Sequence, residues 1–305
     1  MTLRSRRTVR LCLISAGAFL YAKAPGGIHM GQNHTEGGKG AMKVSGKTVR
    51  RCLAALLVLC LVIYFLSGRW KQSSGAETAI PDDRLAVQAA AVLEGRYACL
   101  TFDDGPSENT AALLEILARY QAHATFFVTA QPINEPYFNQ LPLIQTGGHQ
   151  IALHSASHRY ADIYKSSTAF WLDIKQLRQT LSSWVDVDQI HWLRFPGGST
   201  NTISHRYGGS GIMKELVAQA EEKGYHWIDW NVCAEDATSS HPDAAAILQN
   251  IQKGAEGRDV CVVLMHDTAA TGETVKALPR ILDWFSQQGY EFCTVEQMYT
   301  MTKEE

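Results

Sequence analysis

The sequence predicts an α/β protein: a distorted, incomplete (β/α) barrel of about seven parallel strands, preceded by an N-terminal transmembrane helix. Three observations predict it. From Tyr97 onward, short apolar runs of strand length alternate with amphipathic runs of helix length, as in a parallel sheet covered by helices. The polar residues with chemical potential fall at the C-terminal ends of those strands, the face on which such barrels carry their sites. The third is an uninterrupted apolar run over residues 52–68, flanked by Lys43, Lys47, Arg50 and Arg51 before it and by Arg69 and Lys71 after it.

In chain order, residues 1–51 form a basic segment with ten Lys and Arg against Glu36 alone. Met42 begins a complete signal-anchor pattern by itself, so residues 1–41 are expected to stand outside the native protein. The run 52–68 is near the short limit for a span of ~17–25 residues. The basic residues before it place the N-terminus in the cytoplasm and the rest outside, at the cell membrane in a single pass. A cleaved signal peptide, with Ser74-Gly75-Ala76 as a poor site, is the alternative. Residues 69–94 read as a polar, Ala-rich linker, and 95–305 as the catalytic domain.

From position 52 onward 18 basic residues face 29 acidic ones. That balance argues against nucleic acid, whose binding rests on Lys and Arg neutralising phosphates. The seven cysteines contain no C-x-x-C pair, and those in apolar runs read as buried thiols.

Strands are expected at 97–102, 125–129, 150–154, 191–195, 225–231, 260–266 and 290–294. Helices are expected at 110–120, 137–144, 170–184, 212–223, 244–251 and 274–285. Gly147, Gly224 and Gly289 end three of these helices shortly before a strand, as αL caps do. Seven strands leave the count one short of a closed eight-stranded barrel, hence the expectation of an incomplete one.

The first strand stops at Asp103-Asp104-Gly105. Adjacent carboxylates repel and raise each other's proton affinity, unless a cation holds one ionised and leaves the other for proton transfer. A loop start that caps the next helix is the plainer reading of those acids. His154-Ser155-Ala156-Ser157-His158 sets two imidazoles four residues apart, able to share an ion if the segment turns after its strand. Neutral imidazole suits a borderline metal such as zinc, and Asp104 would complete a three-ligand face with a position open for water. A histidine pair alone is as often structural.

Together with Arg194-Phe195-Pro196-Gly197-Gly198, Asp229-Trp230 and Leu264-Met265-His266, these stretches resemble, in order, the five motifs of the polysaccharide deacetylases. This is the NodB homology domain of carbohydrate esterase family four, and the resemblance runs from about Tyr97 to the C-terminus. The Arg-Phe-Pro-Gly-Gly form resembles membrane-anchored peptidoglycan N-acetylglucosamine deacetylases of Gram-positive bacteria.

The resemblance implies a metal-dependent hydrolase that removes acetyl groups from N-acetylated sugars. It implies that Asp104, His154 and His158 hold a divalent metal, zinc as a rule in the family. Asp103 would be the general base and His266 the general acid. Arg194 would orient Asp103, Asp229 would support His266, and the Gly197 N–H would stabilise the oxyanion. Trp230 and Leu264 would line the acetyl pocket. Where the family commonly has an aromatic residue after the motif-three proline, Gly197-Gly198-Ser199 stands here. An N–H donor survives that change and a wall of the sugar groove does not. Thr200, Asn201 and His205 are then weak candidates for sugar contacts. His123, His149, His191 and His226 are read as core or surface residues. Asp236 and Asp267 lie on the active-site side, where turn and cap roles explain them as well.

The expected substrate is an acetylated cell-wall glycan, N-acetylglucosamine of peptidoglycan first. N-acetylmuramic acid, chitooligosaccharide and O-acetyl polysaccharide are rivals within the enzyme class, and a non-catalytic glycan-binding module is the rival outside it. The ectodomain is expected to be a monomer tethered to the membrane.

Overall fold

A computed structural model describes residues 84–304. The predicted membrane run, the basic segment before it and most of the expected linker lie outside the described residues. Within them no helix is long and apolar enough to cross a membrane.

The strands form one parallel sheet of eight: β1 (Arg96–Asp103), β2 (Ala124–Thr129), β3 (Gln150–Ser155), β4 (Trp192–Leu193), β5 (His226–Trp227), β6 (Val232–Cys233), β7 (Val260–His266) and β8 (Tyr290–Phe292). Their order is β5-β4-β3-β2-β1-β7-β6, with β8 paired to the start of β1. The count exceeds the expected seven because the fifth strand is divided. Its first part pairs with β4, and Ile228 N–H still donates to Leu193 O at 3.3 Å. Asn231 N–H already donates to Val262 O at 3.1 Å, and the chain continues as β6 on β7. One segment therefore leaves one sheet edge and joins the other, curling the sheet into a half-barrel.

Helices Thr110–Arg119, Ser167–Leu181, Ile212–Glu222, Ala244–Ala255 and Gly272–Gln287 coincide with amphipathic runs expected from the sequence. The run 137–144 is instead a 3-10 turn, Glu135–Gln140, followed by the short helix Leu141–Thr146. Two helices were not expected. Arg84–Val92 falls where the linker was expected, and Val295–Glu304 closes the chain. Ala86 and Ala89 of the first and Val295 and Met298 of the second are buried together with inward strand residues.

Alternation along the strands divides the core. Leu100, Phe102, Phe126, Val263 and Met265 face outward onto helical Leu113, Leu117, Ile174, Leu216 and Ile281. Cys99, Phe127, Ala152, Trp192, Val262 and Leu264 face inward. Each such leucine or phenylalanine contributes about 1.5–3 kcal/mol by leaving water. At the C-terminal strand ends the inward positions become polar: Thr101 and Asp103 after Cys99, His154 after Ala152, Arg194 after Trp192, and His266 after Leu264. The period of two that packs the barrel thus also aims the site.

Candidate active site

Asp103 and His266 are register partners on the neighbouring strands β1 and β7, and both are buried. The guanidinium of Arg194, wholly buried, fixes the first of them. Its Nη1 donates to Asp103 Oδ1 and to Thr101 Oγ1, both at 2.8 Å. Nε donates to Ile228 O at 3.1 Å and Nη2 to Asp229 O at 3.0 Å. The cation also lies 4.1 Å over the ring of Phe127. A buried charge pair needs such complete hydrogen bonding to be tolerated.

Asp104 leaves the strand with φ 72°, a left-handed conformation that Asp adopts more readily than most residues. The turn is held from outside by Asn134, whose Nδ2 donates to Asp104 O at 2.9 Å and Pro106 O at 3.0 Å. Gly105 is needed there because a Cβ would collide with the carboxylate of Asp267. Asp267 itself is buried and accepts from Ser107 Oγ at 2.5 Å and Thr110 Oγ1 at 2.6 Å. Burial pushes its carboxyl up to about 6 against the pull of those two hydroxyls.

The histidine turn has its own anchor. Asp173, from helix Ser167–Leu181, accepts from Ser155 Oγ and Ala156 N–H at 2.7 Å and from Ser157 N–H at 3.0 Å. His158 N–H donates to Ser155 Oγ at 2.9 Å, and with φ 51° its ring comes to lie beside that of His154, 5.1 Å between centroids. His154 Nδ1 lies 2.8 Å from Arg194 O. A carbonyl only accepts, so Nδ1 carries the proton and the Nε2 lone pair faces inward.

The ligand atoms of Asp104, His154 and His158 lie within 4.8 Å of one another. Asp104 Oδ1 is 3.4 Å from His158 Nε2 and 3.7 Å from His154 Nε2, and this buried oxygen has no hydrogen-bond donor. The separations are too long for hydrogen bonds. They fit three atoms that share an ion at about 2.0–2.2 Å from each. Burial lowers the His154 pKa against the pull of Asp103 and Asp104. For Asp104, burial raises the pKa, but the positive charges of His158, His154 and His266 outweigh it, and the net shift is downward. Neutral imidazole and ionised carboxylate are the forms that bind metal.

His266 Nδ1 lies 2.8 Å from Asp236 Oδ1. Asp236 Oδ2 accepts from His266 N–H at 2.9 Å and Thr274 Oγ1 at 2.7 Å. This corrects the expected role of Asp229. The carboxylate at Nδ1 belongs to Asp236, because β6 pairs Cys233 with Leu264 and the chain beyond it runs alongside His266. The Asp229 carboxylate accepts the N–H and the hydroxyl of Ser199, bracing the loop after Pro196. An acid three residues past the true β7 partner was the available signal.

Gly197 has φ 76° and faces the hydroxyl of Tyr160. Trp230 and Leu264 are both buried in the inner layer. Asn201, a weak sugar-contact candidate, is a buried brace instead: Nδ2 donates to Gly198 O at 2.8 Å, and Oδ1 accepts from Ser204 N–H at 2.9 Å. Thr200 and His205 are exposed. Asp173 and Asn134, which hold the two turns, went unnoticed in the sequence because each acts on a segment distant from its own.

Residues 91–225 match the family model described as Polysaccharide deacetylase. A peptidoglycan-N-acetylglucosamine deacetylase of Bacillus cereus is 31% identical over 202 residues, 65% of this chain and 86% of the relative. A chitin deacetylase of Arthroderma benhamiae is 31% identical over 201 residues, 64% of this chain and 50% of that protein. Among solved structures, the catalytic domain of a peptidoglycan N-acetylglucosamine deacetylase from Eubacterium rectale superposes with a TM-score of 0.62 at 37% identity, over 66% of this chain and 89% of that one.

Proposed function

The chain belongs to the polysaccharide deacetylase family, and from that premise we propose that it hydrolyses the acetamide of N-acetylglucosamine in peptidoglycan, releasing acetate. The carrying observation is the buried Asp104 Oδ1, without a donor and facing two imidazole nitrogens. Asp104, His154 and His158 would hold a divalent metal, zinc by the donor set of two nitrogens and one oxygen. When bound there, such an ion supplies Lewis acidity toward the acetyl carbonyl and acidifies the attacking water.

The chain's own groups do the rest. Asp103, held by Arg194 at 2.8 Å, takes a proton from water at its other oxygen, as a general base must. His266 donates a proton from Nε2 to the departing amine, and Asp236 at Nδ1 stabilises the imidazolium before that transfer. The Gly197 N–H serves the developing oxyanion, and Trp230 with Leu264 bounds the acetyl methyl. A base and an acid side by side support an enzyme over a glycan-binding module, which needs neither.

The run 52–68 supports a membrane-tethered domain outside the cell, placed beside the wall. The described residues expose few large apolar side chains, which supports a monomer. The test is acetate release from purified peptidoglycan by the chelator-stripped protein, before and after zinc. Zinc-dependent release with loss of acetyl from glucosamine is expected. Release only from chitooligosaccharide moves the substrate, and a protein that binds no metal overturns the proposal. Asp103→Asn should abolish release while zinc and glycan binding persist.

A further inference from the structure

Gly197 and Tyr160 compete for one place. A Cβ at position 197 would lie 2.6 Å from Tyr160 Oη and 3.4 Å from its Cε1, so the space beside the Pro196–Gly197 turn is filled by a phenol from the segment after β3. The Tyr160 ring meets the His158 imidazole edge-on at 5.7 Å between centroids and the Tyr164 ring at 5.5 Å. Tyr164 donates its hydroxyl to Pro196 O at 2.7 Å and stacks on Phe170 at 6.1 Å. The turn and one imidazole of the metal set are thereby both referenced to the same ring.

The two tyrosines differ in a way that separates structure from recognition. Tyr164 is wholly buried and bonds a backbone carbonyl. Tyr160 keeps part of its surface in solvent at the mouth of the site. An amphipathic ring with an exposed hydroxyl, fixed at low entropic cost beside the chemistry, is suited to a sugar, which offers an apolar face of C–H groups and a rim of hydroxyls.

We propose that Tyr160 is a substrate-contacting residue: its ring is the groove wall that Gly197 cannot supply, and its hydroxyl hydrogen-bonds the sugar being deacetylated. The inference rests on the deacetylase reading. It also explains Gly197, where any side chain would displace the phenol in addition to straining the backbone.

The experiment uses the full, zinc-loaded chain and a tetramer of N-acetylglucosamine as probe. It measures kcat, KM and zinc affinity for Tyr160→Phe, Tyr160→Ala, Gly197→Ala and the Gly197→Ala/Tyr160→Ala double variant. Tyr160→Phe should raise KM about three- to tenfold, the loss of one neutral hydrogen bond, with zinc affinity unchanged. Tyr160→Ala should raise it further. Gly197→Ala should cost at least as much as Tyr160→Ala, and the double variant should be no worse than Gly197→Ala alone, since the clash is gone. Unchanged KM in both Tyr160 variants, or losses that multiply in the double variant, would overturn the proposal. Should the wild-type protein release no acetate, the deacetylase reading fails by itself. Calorimetric binding of the tetramer then decides for Tyr160: weaker binding by Tyr160→Ala sustains the contact, and equal binding removes it.

Discussion

His149 and His154 stand at the two ends of strand β3, both buried, and burial is the largest influence lowering the pKa of each. They are otherwise opposites. His149 Nδ1 accepts the Ala124 N–H at 3.2 Å, which puts its proton on Nε2, and its ring faces His123 and Phe126. His154 has the reverse tautomer, with Nδ1–H directed at Arg194 O and its Nε2 lone pair 3.7 Å from both Asp103 and Asp104. Burial of a histidine therefore says little about function. What distinguishes the site is which nitrogen is left over and whether carboxylates face it.

The sharpest way to break this comparison is to exchange each ring for an amide. His154→Gln should lower acetate release about a thousandfold or more by removing a nitrogen from the metal set, and zinc affinity should fall with it in a competition assay. His149→Gln should leave both within a factor of about two, since surroundings without metal chemistry affect stability alone. Comparable zinc loss in the two variants would mean that the contrast is wrong.

A smaller effect is expected one step out from the chemistry. Asp236→Asn should lower kcat about 10- to 100-fold, the usual cost of a lost orienting partner, and shift the basic limb of the pH–rate profile to lower pH, because the carboxylate no longer favours the imidazolium on His266. Zinc affinity should not change. The same substitution at Asp229 should loosen the Ser199 loop and leave that limb in place. A shift with Asp229→Asn and none with Asp236→Asn would restore the assignment read from the sequence.

The least effect on activity, and the most distinctive on stability, belongs to His149. Burial, with the nearby His123, lowers its pKa to about 4 from an unfolded value of about 6.5. The unfolded chain thus binds the proton more tightly. The stability contributed by the neutral ring is full above pH ~6.5 and is lost as the pH falls toward ~4, by on the order of 3 kcal/mol. Denaturant unfolding of zinc-loaded protein across that window should show the slope, and His149→Gln should flatten it. An identical slope in the variant would place the titration elsewhere.

How much was legible in the sequence follows from how local each relation is. Asp103-Asp104 and His154 to His158 could be read because a strand end and one turn bring those side chains together within a few residues. The strand-end positions of Arg194 and His266 could be read from alternation. Asp236 could not, since its place depends on a register between β6 and β7 that begins only after the chain has changed sheet edge. Nor could Asp173, whose bonds reach back 16 to 18 residues to the histidine turn. Helix Arg84–Val92 looks like a connector because its buried contacts are two alanines, too small to mark a hydrophobic stripe.

Arg194 places a further condition on this chain over generations. Its charge cannot be shed by titration, and it is sealed among Asp103, Thr101 and two backbone carbonyls. Any heir that loses Asp103 inherits an unanswered cation at the centre of its barrel, and any heir that loses Arg194 inherits an unanswered anion. Each single step costs about 3–5 kcal/mol, a large share of what a domain has to lose. A descendant that abandons catalysis therefore has an easier path through His266 or Asp104 than through Asp103. Inactive relatives of such a chain should keep the buried pair long after the reaction it once served has gone.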